Sequence, residues 1–155
     1  MTTDGEARAI AALTAYGMDV EVTRHGRVGS LDEAAALRGV ATGDIIKTLV
    51  VRRGEGDHLF VLVPGDREFS WPKLRALLGV NRMTMPGADE ALEVTGYERG
   101  TITPFGSRRA LPVIADSSVP GRRISMGAGA HGVAVTLDAD DVIRALDATV
   151  ADISD

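Results

Sequence analysis

The chain has 155 residues, 45% apolar and 25% charged, with a net charge of −5; this is the composition of one soluble globular domain over 1–155, not of a disordered segment. It contains no cysteine, which removes disulfides, thiol nucleophiles and thiolate metal sites together and fits a reducing cytoplasm. Aromatic residues make up only 4%, so few rings are left to stack on bases and any nucleic-acid contact is expected at the backbone or a terminus.

The N-terminus, Met1-Thr2-Thr3-Asp4-Gly5-Glu6, has neither a basic region nor an apolar core of the signal-peptide kind, and no run approaches the roughly 18 apolar residues of a membrane span. We expect no membrane association. Ala7 to Tyr16 has helical composition and stops at Gly17, and Met18-Asp19-Val20-Glu21-Val22 alternates as a short strand. Ser30-Leu31-Asp32-Glu33 is a capping box opening a second helix that Gly39 closes. Lys47 to Arg53 and His58 to Val63 read as strands joined by the hairpin signal Gly54-Glu55-Gly56-Asp57.

Further on, Ser70 caps a helix from Trp71 to Leu78, with Pro72 in its first turn and Gly79 as its stop. A short strand is predicted at Arg82 to Met85, a helix near Asp89 to Thr95 and a loop over Gly96 to Gly106. Leu111 to Ala115, Arg123 to Met126 and Val133 to Leu137 are three more strands, and Asp138-Ala139-Asp140-Asp141 caps a last helix through Leu146. Helices and hairpins are interspersed without strict βαβ alternation. The expected fold is therefore α+β, a central mixed and largely antiparallel sheet with surrounding helices.

Lys47 stands out because the chain carries fifteen Arg and only two Lys. It opens an apolar strand, on the same face as Leu49 and Val51 by period-two alternation, where an ammonium is expensive unless it is used. Arg is always charged and forked, whereas Lys is a compact cation suited to chemistry; a lysine snorkelling from a strand end fits the same spacing. Charge is uneven as well. From Asp138 to Asp155 six acids face one Arg, while from Arg99 to Arg123 five Arg face only Asp116. That stretch is either a basic surface for a polyanion or an ordinary solvated face.

Gly127-Ala128-Gly129-Ala130-His131-Gly132 satisfies the dinucleotide fingerprint literally, but the residues that follow, Val133 to Leu137, alternate as a strand where the fingerprint needs a helix N-terminus. A tight inter-strand loop with His131 at its apex is expected instead, and a nucleotide-binding oxidoreductase is the weaker reading. Gly100-Thr101-Ile102-Thr103-Pro104 is a G-x-x-x-P loop that suits a rigid wall of amides or a plain connection. His25, His58 and His131 lack metal-ligand spacing, no G-x-S-x-G elbow surrounds the serines, and no phosphate-binding P-loop is present. We expect no metal and no cofactor.

Five segments occur together in fixed order: Ile46-Lys47-Thr48-Leu49-Val50, Val61-Leu62-Val63-Pro64-Gly65-Asp66, Gly96 to Gly106, Leu111-Pro112-Val113-Ile114-Ala115-Asp116, and Gly127 to Gly132. In this order and spacing the chain resembles the YbaK/prolyl-tRNA synthetase-associated editing domain family, from roughly Glu21 to Leu146, and it is similar to the free-standing members. The resemblance implies an aminoacyl-tRNA deacylase that hydrolyses a mischarged ester in trans, removing a small amino acid such as Ala, Ser or Cys. It implies tRNA-Pro as a candidate body and prolyl-tRNA synthetase as a candidate partner; a catalytically silent module of the same fold that binds aminoacyl-tRNA or a synthetase is the alternative.

The resemblance also implies roles. Lys47 matches the essential lysine, Gly100 and Pro104 match the loop whose backbone meets the substrate carbonyl, and His131 occupies a position where insertion-type domains carry a histidine near the substrate. The Cys-specific members differ there, which argues against a thiol-assisted mechanism. Thr48, Thr101, Phe105, Asp116, Ser125, Gly127 and Gly129 are expected to contact substrate, and the Arg99 to Arg123 stretch to hold the acceptor stem through phosphates.

Overall fold

The computed structural model describes residues 4–155; Met1, Thr2 and Thr3, the head of the stretch read for targeting signals, lie outside the described residues. In chain order the elements are α1 (Asp4–Ala15), β1 (Glu21–Arg24), α2 (Leu31–Arg38), a 3-10 turn over Thr42–Asp44, β2 (Ile45–Gly54), β3 (Asp57–Pro64), α3 (Trp71–Leu78), α4 (Ala88–Thr95), β4 (Val113–Asp116), β5 (Arg123–Gly127), β6 (Val133–Asp138), α5 (Ala139–Leu146) and β7 (Thr149–Ala151).

Local chemistry explains most of these boundaries. The Ser30 hydroxyl accepts from the Glu33 amide at 3.1 Å, and Gly39 ends α2 with φ 71°, a conformation that costs glycine nothing. The second arm of the capping box lands one residue early, since the Glu33 carboxylate accepts the amide of Gly29 at 3.0 Å. Ser70 caps α3 through the Lys73 amide at 3.3 Å. Asp138, expected to cap α5, makes no such bond; its carboxylate is 3.5 Å from Arg123 on the neighbouring strand, and an ion pair across the ladder has replaced the cap. The strand predicted from Met18 starts only at Glu21. That at Arg82 to Met85 shrinks to one bridge between Thr84 and Arg52, because Pro86 and Gly87 follow at once and Pro cannot extend a ladder.

Among the described residues the strands form one seven-stranded sheet in the order β1-β6-β5-β2-β3-β4-β7. β1 with β6, β6 with β5 and β2 with β3 are antiparallel, while β5 with β2, β3 with β4 and β4 with β7 are parallel. The parallel pairings are short, two or three residues each, so the sheet is mixed and mostly antiparallel by length. Its centre is the β2–β3 hairpin, whose apolar stretches Leu49 to Val51 and Leu59 to Val63 are covered on both faces. Ile46, Val50, Phe60 and Leu62 face one core with Leu13 of α1 and Val142 of α5. Val51, Leu59, Val61 and Val63 face the other with Leu74 of α3 and Ile153. No helix among the described residues is long and apolar enough to cross a membrane.

Candidate active site

The sheet splits where β2 leaves β5. Their parallel ladder covers only Ile45 with Ser125 and Ile46 with Met126, whereas β2 stays paired to β3 along its length. Arg52 exchanges both backbone groups with Thr84, at 2.8 and 3.0 Å, on the side away from β3. Because backbone polar groups alternate along a strand, those of Thr48 and Val50 point the same way, into the fork. A cleft of about 620 Å³ opens there, within the usual range for small-ligand sites. Ile46, Thr48 and Val50 form its floor, Met85 to Ala88 and Ala91 one wall, and Gly100, Ile102 and Gly127 the other.

The second wall is held by hydrogen bonds within the loop and from Arg8 and Gly129 outside it. The Tyr97 hydroxyl, buried and therefore pushed toward its neutral form, donates to the Phe105 carbonyl at 2.6 Å. The Thr101 hydroxyl and amide both donate to the Glu98 carbonyl, at 2.7 and 3.0 Å, and the Thr101 carbonyl accepts from the Gly129 amide at 3.0 Å. Arg8 of α1 ties both ends of the loop, donating to the carbonyls of Gly96 and Gly106 at 2.8 and 3.3 Å, and lies 4.6 Å from the Tyr97 ring centroid. Gly100 is thereby fixed at φ +87°, and a Cβ built on it would sit 3.5 Å from Cε1 of His131.

The first wall is pinned by a carboxylate. Glu90 of α4 takes His58 Nε2 at 2.6 Å and Arg52 at 3.2 Å. The His58 bond is the largest influence holding its carboxyl below the usual range, with Arg52 adding to it and burial opposing. The Glu90 carboxylate thus accepts from His58 Nε2, while the buried Nδ1 of His58 has no partner among the described residues.

Lys47, Thr48, Gly100 and Gly127 line the cleft, and His131 lies beside Gly100, its Nε2 3.4 Å from Glu98. Lys47 is not buried among apolar neighbours as its strand position suggested. The core on its face covers Leu49 and Val51 but stops short of Lys47, which is exposed and donates to the Arg67 carbonyl at 3.4 Å. Thr101 and Pro104 are buried parts of the loop scaffold behind the wall. Ser125 is buried and meets the cleft only through Arg38.

Three expected substrate contacts lie elsewhere. Phe105 is in the core, edge-on to Tyr16. Gly129 packs against the Gly5 carbonyl and the Tyr97 ring, where any Cβ would collide. Asp116, 1% exposed, is an anchor for the C-terminal segment. It accepts from the Ile153 amide at 3.0 Å and the Ser118 amide at 3.1 Å, and from the Ser118 hydroxyl. Burial pushes its carboxyl up, but these bonds prevail and hold it below the usual range.

The Arg99 to Arg123 stretch is not one surface either. Arg122 is 3.6 Å from Asp44, Arg123 pairs with Glu21 and Asp138, and Arg108 and Arg109 donate to the carbonyls of Glu93 and Gly56. Only Arg99 reaches the cleft, where Arg38 and Lys47 join it. The cleft lining therefore holds three cations and no acid in a protein of net charge −5. Sequence reasoning missed Arg38 because an arginine in the last turn of a helix reads as a partner for the helix dipole. It missed the Met85 to Ala91 wall because nothing local marks those residues as lining.

Among the described residues no group of three or more His, Asp or Glu could hold a metal ion. The model of the aminoacyl-tRNA editing domain matches residues 25–145. The multifunctional Ser/Thr-tRNA deacylase ProXp-y of Escherichia coli is 30% identical over 142 residues, covering 88% of this chain and 85% of that protein. A proline–tRNA ligase of Syntrophotalea carbinolica is 34% identical over 146 residues, which is 88% of this chain but 25% of the ligase, so the chain spans about a quarter of that relative. A solved candidate trans-editing enzyme for prolyl-tRNA synthetase superposes with a TM-score of 0.90 at 24% identity over 100% of this chain and 99% of that one, a likeness of fold. With the family match running through both walls of the cleft, the chain belongs to the aminoacyl-tRNA editing domain family.

Proposed function

We propose that this protein removes a wrongly attached amino acid from tRNA by hydrolysing the aminoacyl ester in trans. The observation that carries this reading is the cationic cleft at the fork of the sheet, bordered by Lys47 and Gly100 in a member of an editing family. The ester is already activated, so the site's task is to hold water at the carbonyl carbon and stabilise the oxyanion that forms. The exposed Lys47 ammonium leaves its 3.4 Å bond to Arg67 at little cost and swings to the developing charge. The amides of Thr48, pointing into the fork, and Gly100, which has no partner among the described residues, complete the oxyanion site. Each good donor at such a position is worth about 3 kcal/mol. His131 takes a proton from the attacking water, its ring oriented by Glu98; the C–O ester bond breaks, and the ribose oxygen leaves protonated.

The aliphatic walls suit a small side chain. One methylene is worth only about 1–3 kcal/mol in an apolar site, so the cleft excludes large residues better than it sorts small ones. Ala, Ser and Cys are the first substrates to test, with Thr added because the Escherichia coli relative is named for Ser and Thr. tRNA-Pro is the first body and prolyl-tRNA synthetase the first partner to try. The test is deacylation over a panel of mischarged tRNAs. Release of a small amino acid above the spontaneous rate supports the reading; capture of aminoacyl-tRNA without release would leave a binding module of the same fold.

A further inference from the structure

Arg38, in the last turn of α2, lines two cavities at once. One is the cleft described above, and the other is a groove of about 460 Å³ bordered by Ala35, Gly39, Ala41 and Thr136. In that groove the remaining charged groups are already matched. Glu21 lies 3.7 Å from Arg123, and Asp44 lies 3.6 Å from Arg122. Arg38 alone has no acid partner among the described residues.

Its orientation is nonetheless fixed. Nε donates to His25 Nε2 at 3.3 Å, and one Nη1 hydrogen reaches the buried Ser125 hydroxyl at 3.5 Å. Accepting from Arg38 requires His25 to carry its proton on Nδ1, which sits 2.8 Å from the Gly26 carbonyl. Burial lowers the Arg38 pKa from its ordinary value, the direction expected of a desolvated cation without a counter-charge. Arginine has five N–H donors in a planar fork, and two are used. The other three are left for a ligand, and a planar fork with open donors and uncompensated charge matches a phosphate group.

We infer that Arg38 is a phosphate anchor: it binds the phosphodiester next to the aminoacylated nucleotide, so that the terminal nucleoside and its ester lie in the cleft and the chain continues along the groove. This rests on the deacylase reading for the identity of the substrate, but not for the binding of the anion. Lys47 and Arg99 border the cleft only, so Arg38 is the cation shared by both cavities.

The test compares two small esters, 3′-O-alanyl adenosine with and without a 5′-phosphate, on the wild type, Arg38→Gln and Arg38→Lys. The wild type is expected to show a KM lower by about tenfold or more for the phosphorylated ester, the scale of a charged hydrogen bond. In Arg38→Gln that ratio is expected to fall to about one, and in Arg38→Lys to recover in part, since the charge returns without the fork. Because the comparison is made within each variant, a general loss of stability or turnover does not mimic it. Equilibrium binding of 5′-AMP against adenosine by calorimetry supplies the same ratio without turnover. If no ester is cleaved but the wild type prefers AMP through Arg38, the deacylase reading fails and the anchor stands. An unchanged phosphate preference in Arg38→Gln, or no preference in the wild type, overturns the anchor.

Discussion

Replacing Gly100 by alanine separates the needs of the site from those of the fold. The residue is held at φ +87°, where an L-residue costs roughly 1–2 kcal/mol. The added methyl itself meets only His131 Cε1, at 3.5 Å, an ordinary contact, so no steric term adds to the backbone cost. For a chain of this size about 1 kcal/mol moves the melting midpoint by about 2–4 °C, and the expected loss is therefore about 2–8 °C. The methyl nevertheless occupies the space between the loop amide and His131 where the ester carbonyl is proposed to sit. Turnover of mischarged tRNA should fall far more than stability, on the order of 10²-fold if one oxyanion donor is lost. Single-turnover deacylation and calorimetry on the same preparation decide the matter. Wild-type turnover with the expected drop in midpoint would show that the loop backbone does not meet the substrate, and a variant that fails to fold would show that Gly100 is chiefly structural.

Other outcomes follow from the same geometry. Asp116→Asn should cost about 2–3 kcal/mol at neutral pH, since one amide oxygen cannot serve the three donors that the carboxylate holds. Because the folded carboxyl titrates below its ordinary value, the wild type's advantage is full above about pH 4 and disappears as pH falls through the depressed value; denaturation from pH 7 to pH 2 checks this, and a difference that grows in acid would reverse the sign. Glu90→Ala removes the tie from α4 to His58 and Arg52 and should raise KM several-fold with kcat nearly held, whereas an unchanged KM would mean that the wall stands without it. Ala-tRNA and Ser-tRNA should be cleaved well and Phe-tRNA poorly on one tRNA body, and equal rates would refute the size filter.

Much of the fold was legible because its signals are local. Ser30, Ser70, Gly39 and Gly79 mark helix ends by their own hydrogen bonds and φ values, and the β2–β3 hairpin is written in two short apolar runs, Leu49 to Val51 and Leu59 to Val63, on either side of Gly54 to Asp57. β7 was not foreseen, since Thr149 to Ala151 is short, carries no alternation and is ordered by pairing with β4. The floor and one wall of the cleft were legible through Lys47, Thr48, Gly100 and Gly127. Asp116 and Phe105 were misplaced because a buried carboxylate stapling a chain end, or a ring in the core, has the same sequence appearance as a pocket residue. The basic stretch dissolved for a related reason. Its acids, Glu21, Asp44 and Asp138, come from distant segments that only the fold brings near. Arg38 is the converse case, an unremarked charge that folding leaves without a partner.

The central claim is that Lys47 is the cation of a hydrolytic site, and its replacement tests that most directly. The side chain is exposed and holds one long bond to the Arg67 carbonyl, so Lys47→Ala should stay within about 0.5 kcal/mol of wild-type stability. Single-turnover hydrolysis of Ala-tRNA or Ser-tRNA by wild type, Lys47→Ala and Lys47→Arg is the measurement. The account predicts clear release by the wild type and a loss on the order of 10²-fold or more in both variants with unchanged melting, the larger forked head of arginine failing to replace a point charge. Equal hydrolysis by wild type and Lys47→Ala would contradict it.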